Sequence, residues 1–244
     1  MDLTPGQELK GLKALLVCPS YGPIDPLCQK QLRAAMMSAS NHGLYWSGDA
    51  SCDHQKFSDS RNNSAAVLSE NPDYADGIMW VDSDILLKPD SILKLLVGMR
   101  RMEVDFVTGV YHKKAPPYEP VMFCWEDDLK RYLLVDNYTP GEYLQPIGSC
   151  GFGFVWTSGK VIQTIAKMDD FEPKAGRWFP DTRDLPKGMG EDFNFCDKAR
   201  RAGIQLHVHL GCLVEHMGDG TVFGREDYIR WLAANGGHYK QPIP

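Results

Sequence analysis

Two apolar patterns alternate along the first half of the chain. Residues 13–18 (KALLVC), 77–81 (GIMWV) and 105–111 are short, nearly unbroken apolar runs. A strand covered by helices on both faces has no solvent side to mark with polar residues, so these runs predict buried strands. Between them, apolar residues recur at helical spacing. A first helix is predicted from Pro26 to about Ser40, with Asp25 as N-cap, Pro26 at the first helical position and Gly43 just past the end. Residues 44–47 form a short second strand, 58–70 a second helix stopped by Pro72, and 90–101 a third helix capped by Asp90. Strand and helix in alternation predict a parallel sheet with helices packed on it.

The second half is less regular. Residues 121–125 and 132–135 read as a hairpin joined by the acidic turn EDDLK, and 143–147 and 152–156 as strands flanking a glycine-rich bend. Residues 158–168 are helical, 169–189 a long loop, 191–202 a helix ended by Gly203, and 205–210 a strand. Residues 225–234 form an amphipathic helix with Tyr228, Trp231 and Leu232 on one side, and the tail KQPIP is extended. The predicted fold is α/β: a single Rossmann-like domain over 1–244, with a mostly parallel central sheet flanked by helices and a smaller antiparallel part in the second half.

Composition narrows the class. With 43% hydrophobic and 24% charged residues, the 244-residue chain is neither disordered nor a polytopic membrane protein. The opening segment MDLTPGQELKG lacks a basic stretch followed by an apolar one, so no leader is expected. Seven cysteines, none in a CxxC pair and most beside apolar residues, read as reduced, buried thiols of a cytoplasmic protein. A zinc site on Cys52 and His54, or on His207 and His209, lacks a ligand quartet at recognisable spacing. The net charge of −6 weighs against a polyanionic partner, although Arg100-Arg101, Lys113-Lys114 and residues 198–201 are locally basic.

The sharpest chemical feature is IMWVDSDILLKPD, where a buried strand ends directly in Asp82-Ser83-Asp84. In an extended chain, side chains two positions apart share a face, so Asp82 and Asp84 are expected to converge with Ser83 turned away. In an open parallel sheet that point is the carboxyl end of a strand, where ligands bind. Paired carboxylates repel unless a cation lies between them, and Mg²⁺ or Mn²⁺ suits oxygen ligands plus a substrate phosphate. Arg61, in the first turn of the second helix, sits where the helix dipole disfavours a cation, which calls for an anionic neighbour.

The order of motifs resembles the GT-A glycosyltransferases, in particular those similar to glycosyltransferase family 2. LLVCPSYG resembles the first strand and its nucleotide loop, and WSGDAS the second strand end near the base. SDSRNNSA resembles the helix start with a donor-side arginine, and VDSD the DxD metal motif. GSCGFGFVWTSGKVI resembles the glycine-rich segment near the reacting sugar, GMGEDFNFCDKARRAG the acidic helix start that carries the base, and VEHMG the late histidine of the metal site.

The resemblance implies that Pro19, Ser20 and Tyr21 line the nucleotide pocket, that Asp49 lies near the base, and that Arg61, Ser83 and Gly151 lie near the donor. It implies Asp82, Asp84 and His216 as metal ligands for Mn²⁺ or Mg²⁺, and Asp192, or else Glu191, as catalytic base. Gly148, Gly151 and Gly153 equally suit a tight bend. The implied activity is transfer of a sugar from a UDP- or GDP-linked donor to a hydroxyl on a glycan, a protein, a small molecule or a DNA base. Residues 13–111 would be the nucleotide-binding half, 112–218 the acceptor and catalytic half, and 219–244 a C-terminal helix and tail. Two alternatives are a nucleotidyltransferase, disfavoured because PSYGPIDP has no basic residue for a triphosphate, and a non-catalytic nucleotide-sugar or glycan-binding module.

Overall fold

The architecture is taken from a computed structural model. It describes residues 6–50, 52–53 (backbone only), 56–171, 178–181 and 190–236. In chain order the elements are β1 (Lys13–Val17), β2 (Pro19–Ser20), α1 (Pro26–Asn41), β3 (Tyr45–Asp49), β4 (Cys52–Asp53), α2 (Phe57–Glu70), β5 (Gly77–Val81), β6 (Ile85–Leu86), α3 (Ser91–Met102) and β7 (Phe106–Val110). They continue with β8 (Met122–Glu126), β9 (Arg131–Leu134), β10 (Leu144–Ile147), β11 (Ser149–Cys150), β12 (Phe154–Ser158), α4 (Gly159–Ala166), α5 (Glu191–Arg201), β13 (Leu206–Leu213), β14 (Glu215–Gly218), β15 (Thr221–Phe223) and α6 (Arg225–Ala234).

A seven-stranded sheet in the order β10-β13-β7-β12-β5-β1-β3 forms the centre. β3, β1 and β5 pair in parallel, as do β7 and β13, while β12 runs antiparallel to both of its neighbours. The expected smaller antiparallel part is present as the three-stranded sheets β11-β8-β9 and β15-β14-β6, and antiparallel pairing also enters the middle of the main sheet at β12. Phe154, Val155 and Trp156 are buried on both faces, which marks a central strand. A hydrophobic run carries no sign of direction, so its sense was not legible. Trp80 Nε1 on β5 donates to Thr157 Oγ1 on β12 at 2.9 Å, which satisfies both polar groups inside this join.

The sheet divides two cores. On one face, Leu15, Val17, Ile78 and Trp80 pack with Ala65 and Leu68 of α2 and with Phe195 and Ala199 of α5. On the other, Ala14, Leu16, Met79 and Val81 pack with Leu32 and Ala35 of α1 and with Leu95 and Met99 of α3. The expected alternation of buried strands and covering helices is what buries both sets.

Three departures have local causes. Asp90 occupies the N-cap position of α3 without a side-chain cap bond; its carboxylate instead meets Lys94 at 3.3 Å. β13 continues through Gly211 to Leu213, with its register to β7 shifting between Val208 and Leu213. A side chain at Gly211 would strike the Gly141 carbonyl oxygen at 2.9 Å, so this glycine marks an irregularity within the strand and not its end. The hairpin β14–β15 was not foreseen. Its turn residues Asp219 and Gly220 both have positive φ, 48° and 73°, the two-residue Asp-Gly turn that favours hairpins.

Among the described residues, Cys18, Cys28, Cys124, Cys150, Cys196 and Cys212 carry free thiols, all but Cys124 buried. No helix among them is long and apolar enough to cross a membrane. His54, most of the 169–189 loop and the KQPIP tail lie outside the described residues.

Candidate active site

The carboxyl ends of β1, β3 and β5 meet at one edge of the sheet. There, β1 runs into Cys18 and β2, and β5 runs into Asp82. Burial pushes the Cys18 thiol up to about 12, and the negative charges of Asp82, Asp49 and Asp84 push it the same way. Ser20 is buried and its hydroxyl pairs with the Gly22 carbonyl. Tyr21 is exposed and stands edge-on to Phe57, with centroids 4.5 Å apart. Pro19 and Ser20 pair with β4, so the predicted nucleotide loop is pinned as a small strand.

Asp82 and Asp84 are not carried by a continuing strand. The chain turns after Val81, and Ile85 N–H donates to the Asp82 carbonyl at 3.1 Å. The expected shared strand face is thus replaced by a turn, which sends the two carboxylates to different partners. Asp82 Oδ1 accepts from Arg61 Nη2 at 2.7 Å, and Arg61 Nη1 reaches Glu191 Oε1 at 3.1 Å. Arg61 is 3% exposed and lies within 5.6 Å of the ring centres of Phe57, Phe152 and Phe179. It is the fifth residue of α2, on the buried stripe Ser60, Arg61, Ser64, Ala65 and Leu68. The first-turn placement is therefore corrected: the helix starts at Phe57. The anionic neighbours expected for Arg61 are two of the protein's own carboxylates.

Asp84 is the more exposed of the two aspartates, its side chain 35% exposed against 22% for Asp82. One oxygen pairs with Lys114 and the other lies 3.3 Å from His216 Nε2. Burial would raise the Asp84 carboxyl, but His216 and Lys114 outweigh it and hold it down at about 2. The β14 hairpin makes this contact: His216 is registered opposite Ile85, and Met217 N–H donates to the Asp84 carbonyl at 2.7 Å. His216 Nδ1 lies 2.9 Å from the His112 carbonyl oxygen, which orients the ring with Nε2 toward Asp84. Tyr111 packs edge-on to that ring at 5.5 Å.

Among the described residues no three His, Cys, Asp or Glu side chains stand as a ready ligand set. The structure brings Asp84 and His216 together and leaves Asp82 on Arg61. The donor set nevertheless suits a hard divalent cation. His216 Nδ1 is held at the His112 carbonyl, which leaves Nε2 facing the Asp84 carboxylate. An imidazole nitrogen and a carboxylate oxygen 3.3 Å apart are donor types that a divalent cation takes, the ring being oriented by its second nitrogen.

On the other side of Arg61, α5 begins with Glu191 and Asp192 after Gly190. The helix dipole favours carboxylates in this turn. Glu191 is engaged by Arg61. Asp192 Oδ1 accepts from Phe193 N–H at 2.8 Å. Burial pushes the Asp192 carboxyl up to about 6, the Glu191 charge adds to it, and Arg61 opposes. The two acids are thereby separated: one is tied into an ion pair, the other has the protonation behaviour of a base working near neutrality.

The glycine-rich bend packs against Tyr111. A Cβ on Gly151 would collide with the Tyr111 hydroxyl, and one on Gly153 would lie 2.9 Å from the Tyr111 ring. Gly153 N–H donates to the Tyr111 oxygen at 3.2 Å. Ser83 is half-buried in the turn between the two aspartates, and Asp49 is exposed at the end of β3. His207 and His209 lie on β13, His209 buried with its Nδ1 accepting from Gly211 N–H at 3.2 Å. Sequence reasoning missed Lys114, which lies thirty residues from Asp84 and has no local signal of its role.

No family model and no curated protein matches the chain. Among solved structures, the crystal structure of A197 from STIV is similar with a TM-score of 0.55 at 14% identity, over 87% of this chain and 94% of that one. The crystal structure of GalNAc-T7 with UDP, GalNAc and Mn²⁺ gives a TM-score of 0.48 at 11% identity, over 91% of this chain and 48% of that one. The likeness to A197 is one of fold.

Proposed function

We propose that this protein is a GT-A-type glycosyltransferase that moves a sugar from a nucleotide-diphosphate donor to a hydroxyl acceptor. The observation that carries the reading is the pairing of two unlike acidic groups at the carboxyl edge of the sheet. Asp84 and His216 form an oxygen and nitrogen donor pair, and Asp192 carries a carboxyl raised to about 6 at the start of α5. Residues 13–111 would receive the nucleotide, with Pro19, Ser20, Tyr21 and Asp49 at its base end and Ser83 and Gly151 toward the sugar. Residues 112–218 would receive the acceptor.

In this reading Asp84 and His216 would hold Mn²⁺ or Mg²⁺, while Asp82, expected from the motif as a further ligand, stays on Arg61. A bound divalent cation supplies Lewis-acid stabilisation of the charge that develops on the departing diphosphate. Asp192 takes the acceptor hydroxyl proton as that oxygen bonds to the anomeric carbon. The carbon–diphosphate bond breaks, its electron pair leaves with the diphosphate, and the anomeric configuration inverts. Arg61 acts from behind: its ion pair with Glu191 holds the first turn of α5, and with it Asp192, against the end of β5.

The test is a thermal-shift panel of UDP- and GDP-sugars with and without Mn²⁺. A donor at a hundred times its dissociation constant should stabilise the fold by about 2.7 kcal/mol. The reading fails if no donor gives a metal-dependent shift.

A further inference from the structure

Lys114 stands on the carboxylate that the proposed metal would need, and the inference that follows rests on the glycosyltransferase reading. We infer that Lys114 is an exchangeable cation: it neutralises Asp84 while the cleft lacks a metal, and it passes to the donor's diphosphate when a divalent ion takes its place.

Three observations carry this. First, the two oxygens of Asp84 are divided between Lys114 and His216, so an ion entering opposite His216 must compete with the ammonium for the same carboxylate. Second, the pair is open: the Asp84 and Lys114 side chains are 35% and 38% exposed, against 3% for Arg61 on Asp82. A lysine is a flexible point charge and can swing away, whereas the guanidinium among three aromatic rings cannot. Third, the lysine stem lies over Gly218 of β14. A Cβ there would meet Lys114 Cδ at 2.9 Å, so the hairpin that delivers His216 also leaves the groove in which the lysine rests.

The charges balance in both states. With Lys114 in place, Asp84 is part of a neutral pair. Once a divalent ion takes the carboxylate, Lys114 is released beside it as an unpaired cation. A diphosphate brings negative charge to that spot. Neighbouring Lys113 does not share the role, because it is paired with Glu119 at 2.7 Å.

The test measures Mn²⁺ binding without any donor, by calorimetry at fixed pH and ionic strength, on wild type, Lys114→Met, Lys114→Arg and Asp84→Asn. Removing the competing cation should tighten Mn²⁺ binding by roughly tenfold in Lys114→Met, about the 1.4 kcal/mol that a tenfold change represents. Lys114→Arg should stay near wild type, and Asp84→Asn should lose binding. Thermal melts of the same variants check that each is folded. Inorganic pyrophosphate, a base-independent probe of the diphosphate subsite, should then bind the Mn²⁺-saturated Lys114→Met protein more weakly than wild type. Equal Mn²⁺ affinity in wild type and Lys114→Met overturns the exchange and leaves the metal reading standing. Undiminished pyrophosphate binding overturns the lysine's transfer to phosphate. If neither wild type nor Lys114→Met takes Mn²⁺, the metal reading falls and the exchange falls with it.

Discussion

Asp82 and Asp84 are two residues apart, and their surroundings are opposites. Asp82 is bonded to an arginine that is 3% exposed, lies among Phe57, Phe152 and Phe179, and reaches on to Glu191. Asp84 and the lysine it meets have side chains roughly a third exposed, and the histidine on its other oxygen is half as exposed. The first cluster joins α2, β5 and α5 into one rigid frame. The second joins the turn after β5, the segment after β7 and the β14 hairpin through contacts that solvent can reach and a ligand can replace. The turn that sends one carboxylate inward and the other outward lets a single short motif serve both as a structural joint and as a docking point.

The largest expected effect comes from breaking the inward cluster. Arg61→Met leaves Asp82 and Glu191 without their buried cation and should cost about 3–5 kcal/mol in urea unfolding. A loss below about 1 kcal/mol would mean that the two clusters do not differ in kind. Arg61→Lys should recover only part of the loss, because an ammonium cannot reproduce the forked contact to two carboxylates.

Asp192 lies at the rim of the inward cluster without being consumed by it. Asp192→Asn should lower turnover by about 10²–10⁴-fold with donor affinity nearly unchanged, read by steady-state rates and by calorimetry. The sign of the pH dependence follows from the raised carboxyl. A base works only when ionised, so the wild-type rate should climb as pH rises through about 6 and level off above it. Stability runs the other way: a carboxyl raised in the folded state favours folding when protonated, and that contribution is lost as pH rises through about 6. A rate that falls across that range would remove Asp192 from the role.

A smaller effect tests the joint between the clusters. Tyr111 packs on Gly151, Gly153 and the His216 ring. Gly151→Ala forces the buried phenol to move and should cost about 1–3 kcal/mol by overpacking. Tyr111→Phe in the same background relieves the clash with the hydroxyl and should restore part of the loss. If Gly151→Ala proves neutral in thermal melts, the close packing of the bend on Tyr111 is not what demands a glycine there.

The inward half was more legible than the outward half. GIMWV gave β5 with its bounds, and the acidic turn before FNFCDKARR gave the start of α5, because unbroken apolar runs and helix-terminal acids are local signals. Arg61 was legible as a cation in need of an anionic neighbour, but nothing local said that Asp82 and Glu191 would be that neighbour. The outward half depends on long-range pairing. His216 reaches Asp84 only because Asp219-Gly220 closes a hairpin that registers His216 against Ile85; that dipeptide was a readable turn signal, its partner strand was not. Lys114 stood out only as half of the basic pair Lys113-Lys114. A lysine in a loop is ordinary, and only the folded chain shows which carboxylate it meets.

The smallest stability effect belongs to that lysine. Lys114→Met removes a cation from a carboxylate that solvent also reaches. Exposed pairs contribute about 0–1 kcal/mol, and the His216 ring still faces the other Asp84 oxygen. Unfolding free energy should therefore change by less than about 1 kcal/mol, and the change should shrink further as salt screens the pair. The contrast with Arg61→Met is the point of the measurement: two cation-to-apolar substitutions, on carboxylates two residues apart, with effects several-fold different. A Lys114→Met loss as large as the Arg61→Met loss, persisting in high salt, would make both carboxylates structural and leave no exchangeable cation at the mouth of the cleft.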